Sequence, residues 1–240
     1  MTALVPSPVY LLDFDEVVFR HSAAHAVVSR RVVSLVANRL NVGVAEATAV
    51  NRRLYGHHGH TLIGLRETLG LSIGLGDFNA EVYAPGTLRE VARLPRPEDT
   101  DRRAEEVSQM LGAMRVAGVR PFIFSNAPRV WCEFALAEIG LSRAFTAAQM
   151  LTSDSYSQDI VLKPATLSYD LAQRYVGAGA DAIAFVDDSM RNLASAPHAW
   201  RKFLMCNGDD ADVGAASRGA LAANAVPITR LDQLGLPRAH

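Results

Sequence analysis

The chain has 240 residues, 49% of them hydrophobic, which is enough to bury the core of one large α/β domain or of a domain with an insert. Lys and Arg number 24 against 25 Asp and Glu, for a formal charge of -1. That balance excludes a broad electrostatic footprint for a nucleic acid polymer or an anionic membrane, so an anionic partner has to be bound locally.

The first strand is expected from Val9 to Asp13. No basic leader or apolar signal core precedes it, and no apolar run approaches the roughly 20 residues of a membrane span, so the expectation is a cytoplasmic protein without membrane contact. From Ala23 to Arg39, Val27, Val28, Val32, Leu35, Val36 and Leu40 fall along one helical face, and Ala45 to Leu54 is also helix-like. The run RLPRPEDTDRRAEEV, with two prolines and many charges, reads as a solvated surface loop leading into a helix from Glu105 to Val116. A strand follows at Val119 to Phe124, then a helix from Arg129 to Ile139 that Gly140 is placed to end. Later strands are expected at Ile183 to Val186 and Phe203 to Met205, with AVPIT as a sixth element, while 151–160 and 208–217 read as irregular polar stretches. Cys132 and Cys206 suit buried reduced thiols better than a disulfide framework.

Strands alternating with helices mark an α/β fold with a doubly wound, Rossmann-like parallel sheet. One interval breaks the rhythm: about ninety residues separate the first strand from the helix before the second, far beyond an ordinary βα connection. The expected organisation is therefore a core built from 1–18 and 112–240, with 19–111 inserted as a mostly helical domain.

Four short segments carry polar groups beside apolar runs: VYLLDFDEVVF with Asp13 and Asp15, PFIFSNAP with Ser125, VLKP with Lys163, and AIAFVDDS with Asp187 and Asp188. Three follow four or five apolar residues, as strands buried on both faces do, so their polar residues should emerge at strand C-termini, where open α/β sheets bind ligands. Acid, hydroxyl, base and acid gathered there describe a site for phosphate transfer. Two carboxylates facing a phosphate dianion need a cation, and Mg²⁺ suits carboxylates, phosphate oxygen and water. Plainer roles exist for each group. Asp13 and Asp15 could be solvated turn residues, and Ser125 or the DDS sequence could cap a helix.

In their order these segments resemble the four motifs of the haloacid dehalogenase superfamily, over residues 9 to 206. The resemblance implies an aspartyl-phosphate mechanism with Asp13 as nucleophile and Asp15 as general acid and base, and Lys163 neutralising Asp13 and the phosphate. It implies that Ser125 and the amides of Asn126 and Ala127 cradle the phosphate. Mg²⁺ would be held by Asp13, the backbone carbonyl of Asp15, Asp187 and then Asp188, and the helical insert would act as a cap.

Within the superfamily the likeness is to the pyrimidine 5′-nucleotidase-like branch. It rests on FIFSNA at 122–127, FVDDSxxN from Phe185 to Asn192, and RxYxxHGxTLxGL from Arg53 to Leu65. The last implies that Arg53, Tyr55, His58 and Thr61 contact the substrate from the cap, around a flexible turn. A small phosphorylated metabolite, in particular a nucleoside 5′-monophosphate, is the implied partner; a sugar-phosphate phosphatase and a catalytically degenerate nucleotide-binding member are the alternatives. One departure stands out, because Glu16 occupies a position that is normally Asn or Gly, where it either weakens phosphate or metal binding or points to solvent. His57, His58 and His60 lack the spacing and partners of a zinc site and read as a hydrogen-bonding cluster.

Overall fold

A computed structural model describes residues 7–156, 160–207, 220 and 223–236. Six strands form one parallel sheet: β1 Val9–Leu12, β2 Arg120–Phe124, β3 Met150–Leu151, β4 Ile183–Asp187, β5 Arg201–Met205 and β6 Ala225–Ile228, in the order β3-β2-β1-β4-β5-β6. The helices are α1 Ser22–Leu40, α2 Val44–His58, α3 Thr61–Glu67, α4 Leu75–Val82, α5 Pro85–Val91, α6 Glu98–Val116, α7 Arg129–Glu138, α8 Thr166–Val176 and α9 Met190–Ser195. β1 is buried along its whole length, and its residues alternate between two apolar layers. Tyr10 and Leu12 join Val107, Met110 and Met114 of α6 and Trp131, Cys132 and Leu136 of α7, whereas Val9 and Leu11 join Tyr169 and Val176 of α8 and Leu193 of α9. This two-residue period is what places helices on both faces of the sheet.

The connections out of β1 and β4 run to opposite sides of the sheet, so the crevice between them is the topological switch point at which such sheets bind ligands. The Asp13 amide still donates to the Val186 carbonyl, at 2.8 Å, so the chain leaves the sheet only after that residue.

Leu35, Leu54, Leu62, Leu65, Phe78 and Val82 form a third apolar cluster, belonging to α1–α4. Gly64 lets α2 and α3 meet closely, since a Cβ there would lie 2.6 Å from the Leu54 Cβ. A domain limit at residue 111 would fall inside α6, whose Val107, Met110 and Met114 pack with the sheet.

Three local expectations need correction. The charged run is a loop only as far as Pro97: α6 begins at Glu98, with Glu98, Asp99 and Asp101 in its first turn, an arrangement that favours a helix start. Nor is the run simply solvated, because Thr100 and Arg103 are buried. The second is at Met150–Leu151, where the stretch expected to be irregular from 151 begins with a two-residue edge strand too short to carry a periodicity. The third concerns α2, which runs past the expected end at Leu54 to His58, where Gly59 at φ 77° turns the chain. Residues 157–159 and 208–217 of the polar stretches lie outside the described residues. Cys132 and Cys206 are free and buried, as expected. Among the described residues no helix is long and apolar enough to cross a membrane.

Candidate active site

Lys163 organises the crevice. Its side chain is 1% exposed, and its ammonium lies 2.9 Å from Asp13 Oδ1 and 2.7 Å from Asp187 Oδ2 while donating to the Phe124 carbonyl at 2.7 Å. Burial opposes the charge, but the two carboxylates outweigh it and raise the proton affinity, so the ammonium stays charged. Its loop is fixed by Asn126, whose side-chain amide donates to the Lys163 carbonyl and accepts from the Lys163 amide, both at 2.8 Å. α8 starts at Thr166, after Pro164 and Ala165.

Asp13 Oδ1 also accepts the Phe14 amide at 2.7 Å, and Oδ2 has no hydrogen bond among the described residues. Asp187 is fully buried. Its Oδ1 accepts from the Ser189 amide at 2.8 Å, and the side-chain amide of Asn192 lies 3.0 and 3.1 Å from its two oxygens. Ser189 precedes α9 and makes no side-chain cap bond, so the DDS sequence serves as a carboxylate anchor more than as a cap.

Asp13, Asp187 and Asp188 offer oxygens that all lie within 4.8 Å of one another. Burial, with Asp187 and Asp188 close by, pushes the Asp13 carboxyl well above the ordinary carboxylate range, against the pull of Lys163. Asp188 is exposed by surface area yet crowded from the protein side; burial and then Asp187 raise it to about 7. A cluster that retains protons in this way is short of positive charge, and its donors are the hard oxygens that Mg²⁺ takes, so the residues fit that ion. Among the described residues His57, His58 and His60 do not form a comparable set. His60 accepts the Leu62 amide at 3.2 Å, and burial lowers its pKa to about 4.

Asp15 stands on the loop after β1, where Oδ1 accepts the Trp131 indole N–H at 2.9 Å and lies 3.1 Å from His25 Nε2. His25 Nδ1 in turn lies 2.8 Å from Glu16 Oε1. Burial alone would lower the His25 pKa, but hydrogen bonds and charge from Asp15 and Glu16 raise it to about 10. Glu16 thus points neither simply to solvent nor into the carboxylate cluster. Trp131 and His25 carry no signal in the sequence: His25 falls in line with Val28 and Val32 on the apolar face of α1, and Trp131 in α7 reads as ordinary core. Only the exception to the motif, Glu16, signalled that something nearby was different.

Ser125 is buried, and its Oγ accepts the Ala127 amide at 3.1 Å, while its hydroxyl proton has no acceptor among the described residues. Pro128 takes the N-cap position of α7, so Ser125 is not the cap.

The residues from Arg53 to Leu65 span α2, the turn and α3. Thr61 is buried and donates to Asn51 Oδ1 at 2.7 Å. His58 Nε2 lies 2.7 Å from Thr68 Oγ1, and its Nδ1 lies 3.3 Å from Glu67 Oε2. Both side chains therefore serve the packing of α2 on α3. Tyr55 is 59% exposed, and Arg53 is exposed with no hydrogen bond or ion pair among the described residues. The end of α2 meets the sheet domain through Arg191, which donates to the Tyr55 carbonyl at 3.2 Å and to that of Gly56.

No family model and no curated protein matches the sequence. Solved structures do resemble the fold. A HAD phosphatase from Thermococcus onnurineus superposes with a TM-score of 0.61 at 16% identity, covering 97% of this chain and 99% of its own. An L-2-haloacid dehalogenase from Xanthobacter autotrophicus gives 0.54 at 14% identity, over 95% and 96% of the two chains. A HAD family hydrolase from Deinococcus radiodurans R1, with bound phosphate and sodium, gives 0.52 at 20% identity, over 93% and 92%. Over almost its whole length, the chain has the fold shared by haloacid dehalogenase-type hydrolases.

Proposed function

We propose that this chain is a Mg²⁺-dependent phosphomonoester hydrolase that works through an aspartyl phosphate on a nucleoside 5′-monophosphate, with pyrimidine favoured. The observation that carries the hydrolase reading is the buried Lys163 ammonium, held between Asp13 and Asp187 beside a third carboxylate. Asp13 Oδ2, the oxygen free of hydrogen bonds, attacks phosphorus as the bond to the leaving ester oxygen breaks. Asp15 supplies a proton to that oxygen; in the second step it takes a proton from the water that attacks the aspartyl phosphate, releasing inorganic phosphate and restoring Asp13. Ser125, its hydroxyl proton free, and the Asn126 amide bind phosphate oxygens.

Mg²⁺, when bound by Asp13, the Asp15 carbonyl, Asp188 and Asp187, would neutralise the charge shared by phosphate and nucleophile. Asp188 ranks before Asp187 here, because Asp187 already engages Lys163, Ser189 and Asn192 through both oxygens. Asp15 also supports ester hydrolysis over halide displacement, because a halide leaves without needing a proton and an alkoxide does not.

The segment from 19 to 111 acts as a cap in this reading, with Arg53 and Tyr55 as its substrate-facing groups. A second reading, hydrolysis of a sugar phosphate or another small metabolite, is favoured by the engagement of His58 and Thr61 in α2–α3 packing. A phosphate-release screen over nucleotides, sugar phosphates and small organic phosphates, with Mg²⁺ and with EDTA, separates these readings. Highest turnover on nucleoside monophosphates, lost with EDTA, is expected. Tight nucleotide binding with no phosphate release would instead identify a degenerate binding protein.

A further inference from the structure

We propose that Glu16 is a positioning residue, holding His25 so that His25 and Trp131 together fix one oxygen of Asp15 and leave the other to face the leaving group. This rests on the phosphatase reading above, in which Asp15 handles the leaving-group proton.

Glu16 has φ 65°, a left-handed conformation that suits glycine, yet the chain carries a long acidic side chain there. Its backbone is tied from both ends. The amide donates to the Phe19 carbonyl at 2.7 Å, and its carbonyl accepts from the Asn207 side chain at 2.8 Å. Asn207 is gripped in turn by the buried Arg103, at 3.0 Å. None of this needs a carboxylate, so the reason for Glu must lie in what the side chain touches.

It touches His25 Nδ1, at 2.8 Å, and more loosely Arg20 Nε, at 3.7 Å; no other group among the described residues bonds His25 Nδ1. The imidazole is kept upright by Phe19, whose ring meets it edge-on at 5.7 Å and meets Trp131 edge-on at the same distance. His25 Nε2 and the Trp131 indole then converge on the same oxygen of Asp15, at 3.1 and 2.9 Å. With Oδ1 occupied twice, the carboxylate cannot rotate without losing both bonds, and Oδ2 keeps a fixed direction. Because His25 belongs to α1, the pair also ties the first helix of the insert to the loop that carries Asp13 and Asp15.

The decisive variant is Glu16→Gly, which removes the side chain while relieving the backbone. Its thermal midpoint should not fall. For an alkyl phosphomonoester, kcat should drop about tenfold with KM little changed, while an aryl phosphate with a good leaving group should be nearly unaffected. Glu16→Gln, able to bond Nδ1 through its amide, should recover most of the loss. The chain has two tryptophans, so the two indole N–H signals in a ¹H–¹⁵N spectrum can be told apart with Trp200→Phe. The Trp131 signal should move in Glu16→Gly and the Trp200 signal should not. Equal losses on both esters, no loss on either, or an unmoved Trp131 signal overturns the positioning role. A wild-type protein that releases phosphate from neither ester overturns the phosphatase reading instead, and the Trp131 signal still decides whether Glu16 positions Asp15.

Discussion

Asp13 divides its two oxygens between structure and chemistry. Oδ1 is fixed by Lys163 and the Phe14 amide, and Asn at this position keeps an oxygen for both while losing the nucleophile. Asp13→Asn should therefore lower phosphate release by at least about 10³-fold with an unchanged unfolding transition, measured side by side. Activity within tenfold of wild type would remove Asp13 from the attacking role.

Asp188 makes a different prediction, because its folded pKa of about 7 exceeds the 3.8 of an ordinary Asp. The folded state then binds more protons than the unfolded chain between these values. Without metal, Asp188 should make stability fall as pH rises from about 4 to about 7, and His25, its pKa raised from 6.5 to about 10, should extend the fall at higher pH. Asp188→Asn should flatten the acid half of that slope and leave the alkaline half. Added Mg²⁺ should raise the thermal midpoint of wild type at pH 8 more than that of the variant. A midpoint in EDTA that is flat across this range, with no Mg²⁺ effect, would contradict a charge-strained metal cluster.

At the level of elements, α6 shows where sequence reading fails and why. Charge density from Glu98 to Glu106 suggests a solvated loop, yet the helix carries Arg103 inward to donate to the Val17 carbonyl at 2.9 Å and to Asn207 Oδ1, with Glu106 nearby. A buried guanidinium with partners cannot be distinguished from an exposed one by pattern alone, since its partners lie far away in the chain. Arg103→Ala leaves the Val17 carbonyl and Asn207 without their donor and should cost about 3 kcal/mol in urea unfolding. A cost under about 1 kcal/mol would mean that water replaces the guanidinium.

By contrast, the strands leading to Asp13, Ser125 and Asp187 were legible because continuous apolar runs mark strands buried on both faces, and three of the four motifs follow from them, Lys163 standing on a loop. What stayed hidden is pairwise: Asn126 bracing the Lys163 loop, His25 and Trp131 on Asp15, and the edge strand β3, which has two residues and no period.

For the molecule as a whole, the proposed function has the helical segment and the sheet divide substrate recognition between them. The run from Arg53 to Leu65 was the feature most suggestive of a nucleotide. Much of it is accounted for by packing: Gly59 turns the chain, Gly64 admits Leu54, Thr61 bonds Asn51, and His58 joins Glu67 and Thr68. Tyr55 is not accounted for in this way. Its side chain is 59% exposed, on the turn of α2 that Arg191 docks onto the sheet, while its phenol, crowded from the protein side, is pushed up to about 12 by that burial first and then by Asp188 and Asp13. An aromatic face so placed suits stacking on the part of a substrate remote from phosphorus. Tyr55→Ala should therefore lower kcat/KM for nucleoside monophosphates by about 1–3 kcal/mol while hardly changing p-nitrophenyl phosphate hydrolysis. His58→Ala, which loosens α2 from α3, should instead lower the thermal midpoint and slow both substrates alike. If Tyr55→Ala also slows both substrates equally, the ring holds the helical segment in place and does not read a nucleoside, and the substrate assignment retreats to a small phosphorylated metabolite without a base.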